Sequence, residues 1–94
     1  MKRFTWDKDK NRLLKATRGV SFEEVELLIS TEKGMELEHH NPSKYPGQRV
    51  YVVTIRGYCY YVPFEETTTE INLKTIIPSR KATKRFLKEE SDED

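Results

Sequence analysis

The chain is poor in the features that staple, anchor or pre-shape a small protein. One cysteine among 94 residues allows neither an internal disulfide nor a cysteine-rich zinc cluster, and such thiol usage fits a reducing, cytoplasmic setting. No apolar run approaches the about 20 residues a membrane-spanning helix needs. The opening Met1-Lys2-Arg3-Phe4 has no apolar stretch behind its basic residues, so no secretory leader is expected. Repeats and low-complexity tracts are lacking. So are a glycine-rich phosphate loop and a Gly-x-Ser-x-Gly elbow, which leaves no sign of a nucleotide-triphosphatase or serine-hydrolase site. Hydrophobic residues reach only 35%, no more than the charged ones, yet 11% aromatics and a near-zero net charge argue against disorder. A chain this short buries roughly 60–65% of its unfolded surface, enough for one modest core. One domain over residues 1–88 is expected, followed by an acidic, disordered tail at 89–94.

Net charge is also scarce, but it is an average over blocks. The chain has 17 Lys+Arg against 16 Asp+Glu, for +1. Residues 1–18 carry seven Lys/Arg and two Asp, whereas 19–40 carry six Glu and one Lys. Residues 78–88 carry +5 and 89–94 carry −5. Blocks of one sign form solvated faces or footprints for partners of the opposite charge.

Asp7 reads as the N-cap of a helix over Lys8 to Thr17, with Leu13, Leu14 and Ala16 as its apolar positions and Gly19 as its left-handed stop. Ser21-Phe22-Glu23-Glu24 is a capping box that opens a second helix, and Val20 can staple onto Val25. In that helix Phe22, Val25, Leu28 and Ile29 share a stripe, while Glu23, Glu24 and Glu26 face water. Phe4-Thr5-Trp6 and residues 35–40 look like edge strands. Residues 49–56 and 58–64 form a hairpin about Arg56-Gly57, and the proline- and glycine-bearing stretch 41–48 is loop. Pro63 belongs near a strand end or bulge. Residues 71–77 alternate as one more strand, with Ile71, Leu73, Thr75 and Ile77 on a single face. Pro78-Ser79 then starts a helix running through Lys88, with Ala82 and Phe86 one turn apart. The expected architecture is α+β: N-terminal helices and a C-terminal helix on an antiparallel sheet of three to four strands, with one sheet face covered and the opposite face exposed or covered by a partner.

His39 and His40 are adjacent and so point to opposite faces of a strand; they cannot chelate one metal together, and no metal site is expected. His40 retains an acid–base capacity near neutral pH. Cys59 lies within a strand and reads as a buried structural thiol. Tyr51, Tyr58, Tyr60 and Tyr61 serve sheet packing or, on one face, nucleobase stacking. The last helix places Arg80 and Lys81 in its first turn and meets Glu89 and Glu90 at its end, the reverse of what the helix dipole favours by about 0.3–1 kcal/mol per charge. Long basic side chains can tolerate such a position. Equally, a basic first turn suits phosphate, and RNA is the natural polyanion.

Phe4-x-Trp6-Asp7-x-x-Lys10-Asn11, then Gly19-Val20-Ser21-Phe22-Glu23-Glu24, and finally residues 76–85 (IIPSRKATKR) together resemble the opening and closing segments of BrnT-type toxins. The resemblance implies the toxin of a bacterial type II toxin–antitoxin pair with a RelE-like ribonuclease fold. It further implies a cognate antitoxin, a small ribbon-helix-helix DNA-binding protein, and RNA as substrate. Such enzymes need no metal or cofactor and cleave RNA by attack of the 2′-hydroxyl. Carried over by position, Arg80, Lys10 and Arg18 are the candidate catalytic residues, and Lys81, Lys84, Arg85, Arg49 and Arg56 are candidate RNA contacts. Trp6 is expected to pack the first helix. Many members have a His where this chain has Arg18, and an arginine clamps phosphate but does not shuttle protons. Glu65, Glu66 and Tyr61 are the candidate substitutes for the acid or base. The alternative reading is a catalytically inactive toxin-like module that acts through a protein partner or RNA.

Overall fold

The structure, a computed structural model, describes residues 2–31, 35–38 and 49–84. It is α+β. Strand β1 (Arg3–Thr5) leads into helix α1 (Lys8–Arg18) and helix α2 (Phe22–Ser30), followed by strands β2 (Met35–Glu38), β3 (Arg49–Ile55), β4 (Tyr58–Glu66), β5 (Glu70–Leu73) and β6 (Ile77–Pro78). A third helix, α3, begins at 80 and is described through 84. The sheet runs β1-β5-β4-β3-β2, and the two-residue β6 also pairs with β4. No helix among the described residues is long and apolar enough to cross a membrane.

Local signals set the helices. The Asp7 carboxylate accepts from the Lys10 backbone N–H at 3.0 Å, and α1 stops at Gly19, whose φ of 66° is the left-handed conformation a side chain would resist. Ser21 and Glu24 form the reciprocal capping box. Asn11, buried in the middle of α1, ties the two helices together. Its amide oxygen accepts the Phe22 N–H at 2.8 Å and its amide nitrogen donates to Glu23 at 2.8 Å. The β3–β4 turn places both Arg56 (φ 49°) and Gly57 (φ 80°) in the left-handed region, which matches the twist of a two-residue hairpin.

Three features of the sheet differ from the sequence expectation. First, it is larger and mixed. β1 pairs with β5 in parallel, Arg3 opposite Glu70 and Thr5 opposite Asn72, and the Asn72 amide donates to the Thr5 hydroxyl at 2.8 Å. A parallel partner 67 residues away leaves no mark on either local pattern. Second, the alternation over 71–77 is not one strand. β5 ends at Leu73 and β6 starts at Ile77, so Ile76, not Ile77, is buried, and Ile77 stays exposed. Pro63 explains the break. It lies inside β4, away from the strand ends, at the point where the outer neighbour changes from β6 to β5. Its carbonyl accepts the Lys74 N–H at 2.8 Å. Because N and O of a strand residue point to one side, its missing donor falls in this gap and costs the β3 ladder nothing.

Third, both faces of the sheet are covered. On one face α1 and α2 bury Leu14, Phe22 and Val25 against Tyr51, Val53, Ile55, Val62, Phe64, Leu73 and Ile76. Val20, ahead of the α2 cap, joins the same core. Trp6 stacks on Phe22 at 5.7 Å, and Tyr51 stacks on Phe64 at 4.1 Å between ring centres. Full burial of a Phe or Val side chain contributes about 1.5–3 kcal/mol, so this layer dominates stability. The opposite face carries a smaller cluster of Val52, Cys59 and Ala82, with Tyr61 against it. α3 is therefore on the side away from α1 and α2. Leu13 of α1, read from sequence as an apolar packing position, is exposed.

Candidate nucleic-acid interface

The cations divide by whether a carboxylate holds them. Lys2 pairs with Glu66, Arg3 with Glu70, Arg12 with Asp9, Lys15 with Glu23 and Lys74 with Glu65. Arg49 pairs with Glu66 at 3.1 Å, its guanidinium 5.4 Å from the Phe64 ring centre. Arg56 pairs with Glu24 at 2.8 Å and donates to the Gly19 carbonyl. Lys8, Lys10, Arg18, Arg80, Lys81 and Lys84 have no carboxylate partner among the described residues. An unpaired cation has no internal salt bridge to give up when it meets a phosphate.

The unpaired set includes Arg18, at the end of α1 on one face of the sheet, and Arg80, in the first turn of α3 on the other. The Arg18 guanidinium donates to the Ile76 main-chain carbonyl at 2.6 Å. From Ile76 the chain runs through β6, where Ile77 lies opposite Tyr61 and Pro78 opposite Tyr60. The Ser79 N–H then donates to the Cys59 carbonyl at 3.0 Å. The Ser79 hydroxyl caps α3 by accepting the Ala82 N–H at 3.0 Å, and the Thr83 hydroxyl accepts the Cys59 N–H at 2.9 Å. These bonds fix where α3 starts. Ala82 is turned into the sheet and fully buried, so Arg80 and Lys84, each two positions away, share the exposed outer stripe.

The other sequence candidates are placed differently. Lys10 is exposed on α1 eight residues before Arg18, about 12 Å along the helix axis. Lys81 is exposed in the first turn of α3. Arg49 and Arg56 stand at opposite ends of β3, about 20 Å apart, and both are engaged by glutamates. Arg56 reaches the α1–α2 corner beside Arg18, whereas Arg49 is at the far end. Arg85, His39, His40, the 41–48 loop, Phe86 and the acidic tail lie outside the described residues.

Of the three acid–base substitutes, Glu65 and Glu66 lie at the β5 end of β4, away from Arg80. The hydrogen bond from Lys2, reinforced by the charges of Lys2 and Arg49, holds the Glu66 carboxyl below its ordinary range. A carboxylate held in this way is a poor proton donor. Tyr61 is the substitute near α3, opposite Ile77 and against the Ala82 cluster. Cys59 is a fully buried free thiol, as its strand position implied.

Sequence reasoning missed the role of Asn11. Its signal was an asparagine in mid-helix, a position where the side chain competes with the helix backbone unless it has another use. Among the described residues, no three His, Cys, Asp or Glu side chains gather as a metal site would require. No protein-family model matches the chain, and neither a curated protein nor a solved structure matches it.

Proposed function

We propose that this chain is the toxin of a bacterial type II toxin–antitoxin pair, a BrnT-type, RelE-like, metal-independent endoribonuclease of the cytoplasm. The observation that supports this reading most is the hydrogen bond from Arg18 to the Ile76 carbonyl. It ties the end of α1 to Ile76, at the start of the closing segment that carries the family resemblance, and Arg18 has no carboxylate partner among the described residues. In this reading the RNA 2′-hydroxyl gives up its proton and attacks the adjacent phosphorus in line, closing a 2′,3′-cyclic phosphate as the bond to the 5′-oxygen breaks and that oxygen takes a proton. Arg80 and Arg18 stabilise the charge that grows on the phosphoryl oxygens, where preorganised donors act most strongly. Lys10, Lys81 and Lys84 hold the flanking phosphates, and Arg49 and Arg56 serve the fold. Tyr61 is the candidate acid or base. A ribbon-helix-helix antitoxin is the expected partner.

A second reading, the toxin-like module without catalysis, is favoured by one observation: Glu65 and Glu66 are salt-bridged and remote from Arg80. Purified protein incubated with RNA in EDTA separates the two. Cleavage supports the enzyme. Intact RNA with a well-folded protein, together with a tight complex with the neighbouring gene product, supports the module.

A further inference from the structure

A row of apolar side chains crosses the sheet on the α3 side. Val52 of β3 lies opposite Tyr61 of β4, and Tyr61 lies opposite Ile77 of β6. Residues paired in this way point to the same face, with Cβ atoms about 4.5–5.5 Å apart. Exposure rises along the row. Val52 is buried beside Cys59 and Ala82, Tyr61 is half-buried against them, and Ile77 is 42% exposed. The row ends there, because β6 pairs only with β4 among the described residues.

Cations border the open end of this row. Arg80 follows Ile77 by three residues, so its backbone is within about 11 Å, and Lys81 comes next. Ser79, whose N–H donates to the Cys59 carbonyl, starts α3 on the same face, where Ala82 packs with Val52 and Cys59. Arg80 and Lys81 are exposed, and neither has a carboxylate partner among the described residues. The other large apolar side chains exposed among the described residues, Leu13 and Leu27, belong to the helices of the opposite face. Two side chains fall far short of the about 800 Å² per partner that a stable protein interface buries. They suit one flat nucleobase, and the cations suit its phosphate. Aromatic and apolar surface beside Arg and Lys is the arrangement by which proteins hold single-stranded nucleic acid: bases stack, and the backbone follows the charge.

We infer that Tyr61 and Ile77 form a shelf for one unpaired RNA base, with Arg80 and Lys81 binding the adjoining phosphate. This rests on the RNA reading above and adds to it the single-stranded character of the substrate and the residues that receive a base. Only an unpaired base has a face free to lie on the shelf, since bases in a duplex stack on one another. Stacking is indifferent to salt, whereas each phosphate contact contributes to the salt slope, so the two contributions are separable.

The test uses a ten-nucleotide single-stranded RNA, 2′-O-methylated so that it cannot be cut, and an abasic strand with the same backbone. Binding of each is measured by fluorescence anisotropy across a salt series. Wild-type protein should bind the RNA about tenfold more tightly than the abasic strand, with equal salt slopes. Ile77→Ser, at an exposed position, should remove most of that preference at unchanged slope, and Ile77→Phe should enlarge it. Tyr61→Phe keeps the ring and should keep the preference. Arg80→Ala should weaken both probes and flatten the slope. Equal binding of the two probes by wild-type protein overturns the shelf and leaves the RNA reading standing. A preference unchanged in Ile77→Ser also overturns it, and loss by that variant of the complex with the neighbouring gene product would assign the surface to a protein instead. Failure to bind either probe overturns both readings. The wild-type comparison needs no variant, so a folding defect cannot mask it.

Discussion

Asn11 and Phe22 meet at the corner where α1 turns into α2: the asparagine carboxamide accepts the N–H of the first residue of the second helix at 2.8 Å. Phe22 is fully buried and carries the stack with Trp6, so a side chain of one helix fixes the depth at which the next one enters the core. The same corner holds Gly19, whose carbonyl takes Arg56, and Arg18, which reaches across to Ile76.

Replacing Asn11 by Ala strands a buried N–H. The expected cost is about 1–3 kcal/mol, a fall in Tm of roughly 4–8 °C per kcal/mol for a domain of this size. Thermal unfolding by circular dichroism checks it, and a loss well below 1 kcal/mol would mean that water replaces the amide.

The helices, their caps and the hairpin were legible in the sequence because each is set by neighbours a few residues apart: Asp7 with Lys10, Ser21 with Glu24, Arg56 with Gly57. What was not legible depends on distant partners. Ile76 and Ile77 are chemically identical, and which one enters the core depends on the switch at Pro63 and on Arg18 holding the Ile76 carbonyl. The covered second face rests on Ala82 meeting Val52 and Cys59, and a single alanine announces no face. Of the candidate site, the residue types could be named from sequence, but which cations glutamates occupy could not. Arg49 and Arg56 read from sequence as phosphate contacts of lower weight than Arg80, but nothing local signals that Glu66 and Glu24 hold them.

Acidification should destabilise the fold through two carboxyls. Glu23 lies below its ordinary value of 4.5 chiefly because Asn11 donates to it, with Lys15 assisting; Glu66 is lowered chiefly by the hydrogen bond from Lys2. Each binds its proton more weakly in the folded chain than in the unfolded one. The stability they contribute is therefore fully present above about pH 4.5 and is lost as pH falls through their lowered folded values. Tm measured from pH 7 down to pH 3 should fall in that window, and Glu66→Gln should make the fall shallower.

Gly57→Ala isolates a backbone effect. Nothing lies within 4 Å of the added Cβ, but φ is 80°. The expected cost is about 1 kcal/mol from the left-handed conformation alone. Chemical denaturation should show an unchanged m-value with a lower midpoint.

Docking of α3 can be followed at Cys59. Its backbone N–H is held by Thr83 and its side chain lies buried beside Ala82. A thiol reagent such as DTNB should react slowly with the native protein and faster with Thr83→Val, which leaves that N–H without its acceptor. Equal rates would show that α3 does not shield the thiol.

The most direct test of the proposed activity compares RNA cleavage by wild-type protein and by Arg80→Ala, both in EDTA and both checked for the same Tm. Arg80 is exposed and without a carboxylate partner among the described residues, so its removal should leave stability within about 0.5 kcal/mol. If Arg80 stabilises the phosphoryl transition state, the cleavage rate should fall by about 100-fold or more. Undiminished cleavage by Arg80→Ala, or no cleavage by wild-type protein, would contradict the catalytic role assigned to this site.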